Sequence, residues 1–196
     1  MSMYQIDQKV KSEGSSTKIF PLGISENVEM TNISIETASN GNSYLKFSFT
    51  AEDGSTVSNV EWPIDTANEG WEKKMQSQMK RVKHIMTKFL EEDKVNITAN
   101  DFDGFCQQVI TLLGNSYVGK KLRTKTIYSY NNYVSLPKYV PFLESMDIEA
   151  DKSKLKINPN FDKMEKDEAD NPSTLTSTGS QNGSVTEPAK SDDLPF

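Results

Sequence analysis

The sequence predicts a mainly β domain that carries a helical insert and is followed by a long polar tail. Three observations support this prediction: apolar residues alternate in the first third of the chain, recur every three or four residues in the middle, and become scarce after residue 150. A period of two is typical of a strand, and a period of about 3.6 is typical of an amphipathic helix. A segment with few apolar residues buries too little surface to offset its ordering entropy, which indicates a disordered tail.

The first third of the chain predicts a three-stranded antiparallel meander. The strand segments are Val28–Glu36, Tyr44–Phe49 and Thr56–Trp62. Between them lie the turn sequences Asn40–Asn42 and Asp53–Gly54, of a kind that joins neighbouring strands in hairpins. Trp62, at the end of the third strand, is expected to lie in the core.

A helical insert is predicted for residues 68–114. Asn68 is expected to cap the first helix, and the second helix is expected to begin near Asn100 or Asp101 and to end at Gly114. Each helix has one apolar face, as expected for packing against a sheet. The apolar positions are Trp71, Met75, Met79, Val82, Ile85, Met86 and Phe89 in the first helix and Phe102, Phe105, Cys106, Val109, Ile110 and Leu113 in the second.

Strand character returns after the insert. Val118–Tyr130 and Tyr139–Phe142 predict two more strands. Pro137 and Pro141 restrict the last strand to an edge or a bulge, because proline donates no ladder hydrogen bond. Three strands, a helical segment and two strands follow the order of an OB-fold, a five-stranded Greek-key barrel. Other small α+β folds share this order and stay open.

The chain therefore divides into a mobile arm, residues 1–17, an OB-fold-like domain, residues 18–146, and a disordered acidic tail, residues 147–196. The tail holds 11 of the 28 acidic residues but only 6 of the 22 basic residues, so it carries most of the net charge of -6. The domain itself is close to neutral. Any basic binding surface must therefore come from local clustering of charge.

The composition argues against several function classes. Cys106 is the only cysteine, which excludes an internal disulfide and fits a reducing compartment. His84 is the only histidine and has no partner positioned for catalysis, and no Gly-rich phosphate loop is present. The sequence also lacks a secretory signal and an apolar run of about 18 residues. We therefore expect a cytoplasmic protein that is not an enzyme, holds no cofactor or metal, and does not associate with membranes.

Residues 117–142 combine basic and aromatic side chains and contain no acidic residue. On a regular strand, Lys121, Arg123 and Lys125 project to one face because side chains alternate. Single-stranded nucleic acid requires this mixture, since cations contact phosphates and rings stack on bases. The alternative is a solvated strand face with tyrosines as core or edge residues. The predicted nucleic-acid-binding residues are Lys120, Lys121, Arg123, Lys125, Tyr128, Tyr130, Tyr133, Lys138 and Tyr139.

The final segment, Ser191–Phe196, places an acidic pair beside an apolar tip. Such a tip on a mobile tether suits a partner with an apolar pocket and a basic rim. The predicted partner-binding residues are Asp192, Asp193, Leu194, Pro195 and Phe196. This terminus resembles the acidic tip of bacterial and phage single-stranded-DNA-binding proteins, usually written Asp-Asp-Asp-Ile-Pro-Phe. Leu194 replaces the isoleucine and Ser191 replaces the first aspartate.

The resemblance implies a protein that binds and protects single-stranded DNA without strong sequence preference during replication, recombination or repair. It also implies that the tip recruits replication and recombination proteins. The body has no bacterial pattern that can be matched residue by residue, which favours a phage-encoded protein acting in the host cytoplasm. By charge complementarity, the acidic tail is expected to compete with DNA for the basic binding groove predicted from residues 117–142.

Other functions stay open at this level. The tail and body also suit a protein-interaction adaptor, and stacking platforms alone do not distinguish single-stranded DNA from single-stranded RNA. A nuclease would need a cluster of metal-binding carboxylates that the sequence does not show. The sequence leaves the oligomeric state open, a homo-oligomer included.

Overall fold

The structure is a computed structural model that describes residues 18–167. It is mainly an antiparallel β-sheet with two α-helices, as the sequence predicts. The strands are β1 (Gly23–Thr37), β2 (Ser43–Thr50), β3 (Thr56–Glu61), β4 (Lys121–Tyr128), β5 (Val134–Ser135) and β6 (Leu143–Ser145), and the helices are α1 (Trp71–Met86) and α2 (Phe102–Leu113). The predicted arm and the tail from residue 168 onward, the tip included, lie outside the described residues.

The long strand β1 organises the sheet. The strand order is β3-β2-β1-β4-β5, with β6 also paired to β4. β1 pairs with β4 through its first half and with β2 mainly through its second half, antiparallel in both cases. Its register shifts between Ser25 and Val28 and between Met30 and Asn32, and such bulges bend a strand. The ends of the strand order approach each other, since Cα atoms of β3 and β5 lie within 8 Å.

The core lies between the inner face of the sheet and the two helices. β2 contributes Leu45, Phe47 and Phe49, each fully buried. The second halves of the predicted helix faces are confirmed as core, with Val82, Ile85 and Met86 from α1 and Cys106, Val109 and Leu113 from α2. Burying one such side chain stabilises the fold by roughly 1.5–3 kcal/mol. The predicted meander of β1, β2 and β3 is also confirmed, with Gly41 and Gly54 at positive φ in its turns.

The caps of the two helices differ in how well the sequence predicts them. Asp101 caps α2 as predicted, because its Oδ1 accepts a hydrogen bond from the Gly104 N–H at 2.7 Å. The prediction that Asn68 caps α1 is wrong. The N-cap of α1 is Gly70, and the Asn68 amide donates instead to Oδ2 of Asp65 at 2.9 Å.

The last part of the sheet also departs from the prediction. The predicted strand Tyr139–Phe142 is a loop, and the two short strands β5 and β6 flank it. Pro137 and Pro141 explain the break, because neither donates a ladder hydrogen bond. The sheet therefore has six described strands in place of the five predicted.

The ordered body extends beyond the predicted boundary at residue 147. One compact unit continues to Lys166, and Leu155 and Asp162 are each only 4% exposed. The Lys154 N–H donates to Oε1 of Glu144 on β6 at 2.8 Å. We call residues 153–163 the strap. The low apolar content of the strap predicts disorder, but the strap is held by one buried leucine and by polar groups whose partners lie elsewhere in the chain.

Candidate nucleic-acid interface

The outward face of β4 carries Lys121, Arg123 and Lys125, as the predicted alternation requires, while Leu122 and Thr124 face the core. Its cations are not all exposed. The Arg123 side chain is 6% exposed, and its Nη1 lies 2.9 Å from Oε2 of Glu144.

Arg123 also binds a second carboxylate, on β1. Its Nε and Nη2 each lie 3.0 Å from Oε1 of Glu26. Both acidic partners lie outside residues 117–142. The lack of acidic residues within that segment therefore does not mean that its cations are unpaired in the folded protein.

Lys125 is buried under the strap. Its Nζ lies 3.2 Å from Oδ2 of Asp162, 3.1 Å from the Tyr139 hydroxyl and 3.2 Å from the Lys156 carbonyl. The Tyr139 hydroxyl donates to Oδ1 of Asp162. Burial raises the pKa of Asp162, but hydrogen bonds from the Asn158 N–H, Tyr139 and Lys125 more than offset this and hold the pKa below its ordinary value. The cluster is therefore an ion pair in the interior.

These contacts change the predicted site. We expected Arg123, Lys125 and Tyr139 to face nucleic acid, but the structure turns them toward carboxylates of β1, β6 and the strap. Tyr139 keeps 39% of its surface exposed, whereas Arg123 and Lys125 are buried. In this structure the two cations hold the strap and β6 against β4.

The remaining predicted lysines stay at the surface. Lys121 pairs with Glu29 at 2.7 Å, and its side chain is 44% exposed. Lys120 is exposed and donates to the Phe89 carbonyl at 3.0 Å. Lys138 is also exposed, although partial desolvation lowers its pKa. These three lysines are available to solvent.

The β4–β5 hairpin presents two rings to solvent. Tyr130 is 87% exposed and Tyr133 is 73% exposed. We call residues 128–134 the hairpin tip. The Ser129 N–H donates to the Tyr133 carbonyl at 2.7 Å, and the Tyr133 N–H donates to Oγ of Ser129 at 3.2 Å. Tyr128 is half-buried, with the Lys166 Nζ 5.7 Å from its ring centroid.

The outer face of β2 and β3 carries a feature that sequence reasoning missed. The Tyr44 and Trp62 ring centroids lie 4.5 Å apart, and Trp62 is 42% exposed. The expectation that Trp62 belongs to the core is therefore wrong. The Lys46 Nζ lies 3.1 Å from a Glu36 oxygen, and the Tyr44 hydroxyl donates to the same carboxylate at 2.7 Å.

The side-chain phase of β3 explains the error at Trp62. Glu61 points inward and is 2% exposed, so its neighbour Trp62 points outward. The Arg81 side chain makes this burial tolerable through two hydrogen bonds to the Glu61 carboxylate at 2.7 and 2.6 Å. The alternation of Leu45, Phe47 and Phe49 on β2 was the signal that could have placed Tyr44 on the outer face.

Residues with catalytic potential have structural surroundings. His84 Nε2 accepts hydrogen bonds from the Phe142 and Leu143 N–H groups at 3.2 and 3.1 Å. Burial, with a smaller contribution from Lys88, lowers the pKa of His84 to about 4. Burial likewise raises the pKa of Cys106 to about 12. Among residues 18–167, no group of three or more His, Cys, Asp or Glu side chains is arranged to hold a metal ion.

No helix within the described part of the chain combines the length and apolar character needed to cross a membrane. Comparison with models of known protein families gave no match to this chain, and comparison with curated protein sequences gave no significant match.

Proposed function

We propose that this protein binds single-stranded DNA through the hairpin tip and the outer face of β2 and β3. The observation that supports the proposal most directly is the pair of exposed rings, Tyr130 and Tyr133, on a turn closed by hydrogen bonds. Rings held outward stack on bases of any identity, which suits binding without strong sequence preference. A turn that is already ordered loses little conformational freedom on binding.

We also propose that the sheet is an OB-type barrel. Three features support it: β1 is shared between two halves of the sheet, the helices follow β3, and β3 approaches β5. OB-folds bind oligonucleotides through the face of strands 2 and 3 and through the loops between strands 1 and 2 and between strands 4 and 5. The Tyr44–Trp62 pair and the hairpin tip occupy the corresponding positions here.

The charge of the surface sets the expected salt dependence. Each phosphate contact to a single strand contributes about 0.7 to the slope of log K against log salt. Arg123 and Lys125 are engaged in buried ion pairs, so Lys120, Lys121 and Lys138 are the cations of segment 117–142 proposed to contact phosphates. We therefore expect a shallower slope than the five basic residues of segment 117–142 would give.

The tip residues Asp192–Phe196 are proposed to recruit replication and recombination proteins, on the strength of their resemblance to the acidic tips of single-stranded-DNA-binding proteins. The same acidic residues are proposed to compete with DNA. Deleting residues 188–196 is then expected to raise DNA affinity at low salt, and an unchanged affinity contradicts the competition.

The main experiment measures the anisotropy of a labelled dT oligomer with the full chain at low and moderate salt. We expect binding that weakens as salt rises. The double variant Tyr130→Ala/Tyr133→Ala should bind about 30-fold more weakly or worse, because each stacked base contributes about 1–3 kcal/mol. Leu112→Ala, on the exposed side of α2, is the control and should bind as the parent does.

Two outcomes would redirect the proposal. A U oligomer that competes better than both the dT oligomer and a dU oligomer identifies RNA as the ligand, since U and dU oligomers differ only in the 2′-hydroxyl. Absence of binding to any of these oligomers at low salt, with and without residues 188–196, contradicts nucleic-acid binding altogether.

The second candidate function is a protein-interaction adaptor. A cavity of about 470 Å³ between α1 and α2 favours it, with Met75, Met79, Phe102 and Phe105 among its apolar lining residues. Weak DNA affinity that does not respond to salt would support this candidate over the first.

A further inference from the structure

The strap holds an exposed aromatic ring on a hydrogen-bonded turn. Phe161 is 73% exposed. The turn around it is closed by backbone hydrogen bonds from the Phe161 and Asp162 N–H groups to the Asn158 carbonyl at 3.0 and 2.7 Å. The Asn160 N–H donates to Oδ1 of Asn158 at 3.0 Å. These hydrogen bonds therefore define the position of the Phe161 backbone, from which the ring projects.

The neighbouring residue anchors this turn in the interior. The Asp162 side chain has no exposed surface; its Oδ2 accepts from the Asn158 N–H at 2.7 Å and pairs with Lys125 at 3.2 Å. Phe161 and Asp162 thus have opposite environments in adjacent positions. The buried Asp162 side chain and the hydrogen-bonded turn thus hold the backbone next to Phe161, whose ring lies in solvent.

The strap is joined to the hairpin tip two residues further along. The Lys163 carbonyl accepts from the Tyr128 N–H at 2.8 Å, and the Lys163 Nζ donates to Oδ1 of Asn132 at 2.7 Å. Both partners belong to the hairpin tip. The turn that carries Phe161 therefore adjoins the turn that carries the two tyrosines.

The most exposed aromatic residues lie on the hairpin tip and on the strap. Among residues 18–167, the three most exposed aromatic side chains are Tyr130, Tyr133 and Phe161, at 87%, 73% and 73%. The next is Trp62 at 42%. Single exposed apolar residues are ordinary on a protein surface, but here the three most exposed rings all lie on two segments that the hydrogen bonds of Lys163 join.

We propose that Phe161 is a third base-stacking residue and that a single strand passes from the hairpin tip onto the strap. The inference rests on the proposed function and extends its surface to a segment that follows the last strand. The strap then has two roles: its buried carboxylate holds the segment against β4, and its exposed ring contacts the ligand.

The test compares four variants of the full chain in the dT-oligomer titration. Phe161→Ala should weaken binding about 5-fold or more, the loss of one stacked base. Phe161→Leu should weaken it similarly, because it keeps apolar surface but has no ring. Phe161→Trp should keep the parent affinity, and the oligomer should quench its indole emission by more than it quenches the parent's, which comes from Trp62 and Trp71.

Asn160→Ala is the matched control, since it changes an exposed side chain in the same turn and leaves Phe161 in place. It should bind DNA as the parent does. The thermal unfolding midpoints of all four variants should stay close to that of the parent, because both side chains are exposed.

The result patterns separate this inference from the proposed function. If Tyr130→Ala/Tyr133→Ala loses affinity while Phe161→Ala does not, the inference is overturned and the proposed function stands. If Phe161→Leu binds as the parent does while Phe161→Ala binds weakly, the side chain is an apolar contact and not a stacking ring. If the parent itself does not bind the oligomer at low salt, both fail.

Discussion

The hairpin tip and the outward face of β4 adjoin in sequence but differ in what they offer a ligand. The hairpin tip exposes two tyrosine rings and contains no charged residue. The face of β4 carries three cations, two of which are buried against carboxylates. By its charge, the β4 face is the better candidate for binding phosphate, yet two of its three cations are buried. The hairpin tip has no charge, yet its rings are accessible to a ligand.

The difference shows that local charge and accessible charge are separate properties. Glu26, Glu144 and Asp162 lie far from β4 in sequence, yet all three reach its cations. Buried ion pairs are costly to break, because removal of one partner leaves the other charge uncompensated. The β4 face should therefore respond to substitution in stability, and the hairpin tip should respond in binding.

The largest expected effect is on stability at Lys125. Its side chain is 4% exposed and that of Asp162 is fully buried. Lys125→Met keeps most of the side-chain volume but leaves Asp162 unpaired, so it should reduce the free energy of unfolding by about 3–5 kcal/mol. Urea unfolding followed by circular dichroism measures the loss.

The control for Lys125→Met is Tyr130→Ala/Tyr133→Ala under the same conditions. Both rings are mostly exposed, so the double variant should unfold within about 1 kcal/mol of the parent. Equal losses of stability in the two variants would abolish the distinction between the two regions.

The next effect is a pH dependence of stability caused by His84 of α1, which packs against the start of β6. His84 accepts two backbone hydrogen bonds there, and its pKa falls from 6.5 to about 4 on folding. The unfolded state then binds the proton more tightly, so the contribution of His84 to stability is complete above pH 6.5 and is lost as the pH falls toward 4. Between pH 7 and pH 5 the loss should be about 2 kcal/mol.

Two measurements check this dependence. Because His84 is the only histidine, the NMR titration of an untagged chain reports its pKa without ambiguity. His84→Gln retains an acceptor but does not titrate, so it should flatten the stability profile between pH 7 and pH 5. A His84 pKa near 6.5 in the folded protein would contradict the prediction.

The sequence predicted the elements that follow from periodicity. The meander, the two helices and the alternation along β4 each depend on local patterns of apolar residues. The sequence did not predict the strap, because its stability depends on pairs such as Lys125 with Asp162, whose members are distant in sequence. It also placed Trp62 in the core, because the inward direction of Glu61 depends on Arg81 in α1.

The candidate site divides in the same way. Tyr130 and Tyr133 could be proposed from sequence because a turn between strands exposes its side chains. Phe161 could not, because the segment around it reads as disordered until its polar anchors are known. Long-range ion pairs are thus the part of this molecule that local pattern does not reveal.

The smallest expected effect concerns Lys121, the exposed cation of the β4 face. Its ion pair with Glu29 lies at the surface, and such pairs contribute at most about 1 kcal/mol, so Lys121→Gln should hardly change stability. If Lys121 contacts a phosphate, the variant should reduce the magnitude of the negative slope of log K against log salt by about 0.7. An unchanged slope would leave the whole β4 face structural and assign DNA binding to the rings, with phosphate contacts coming from other lysines.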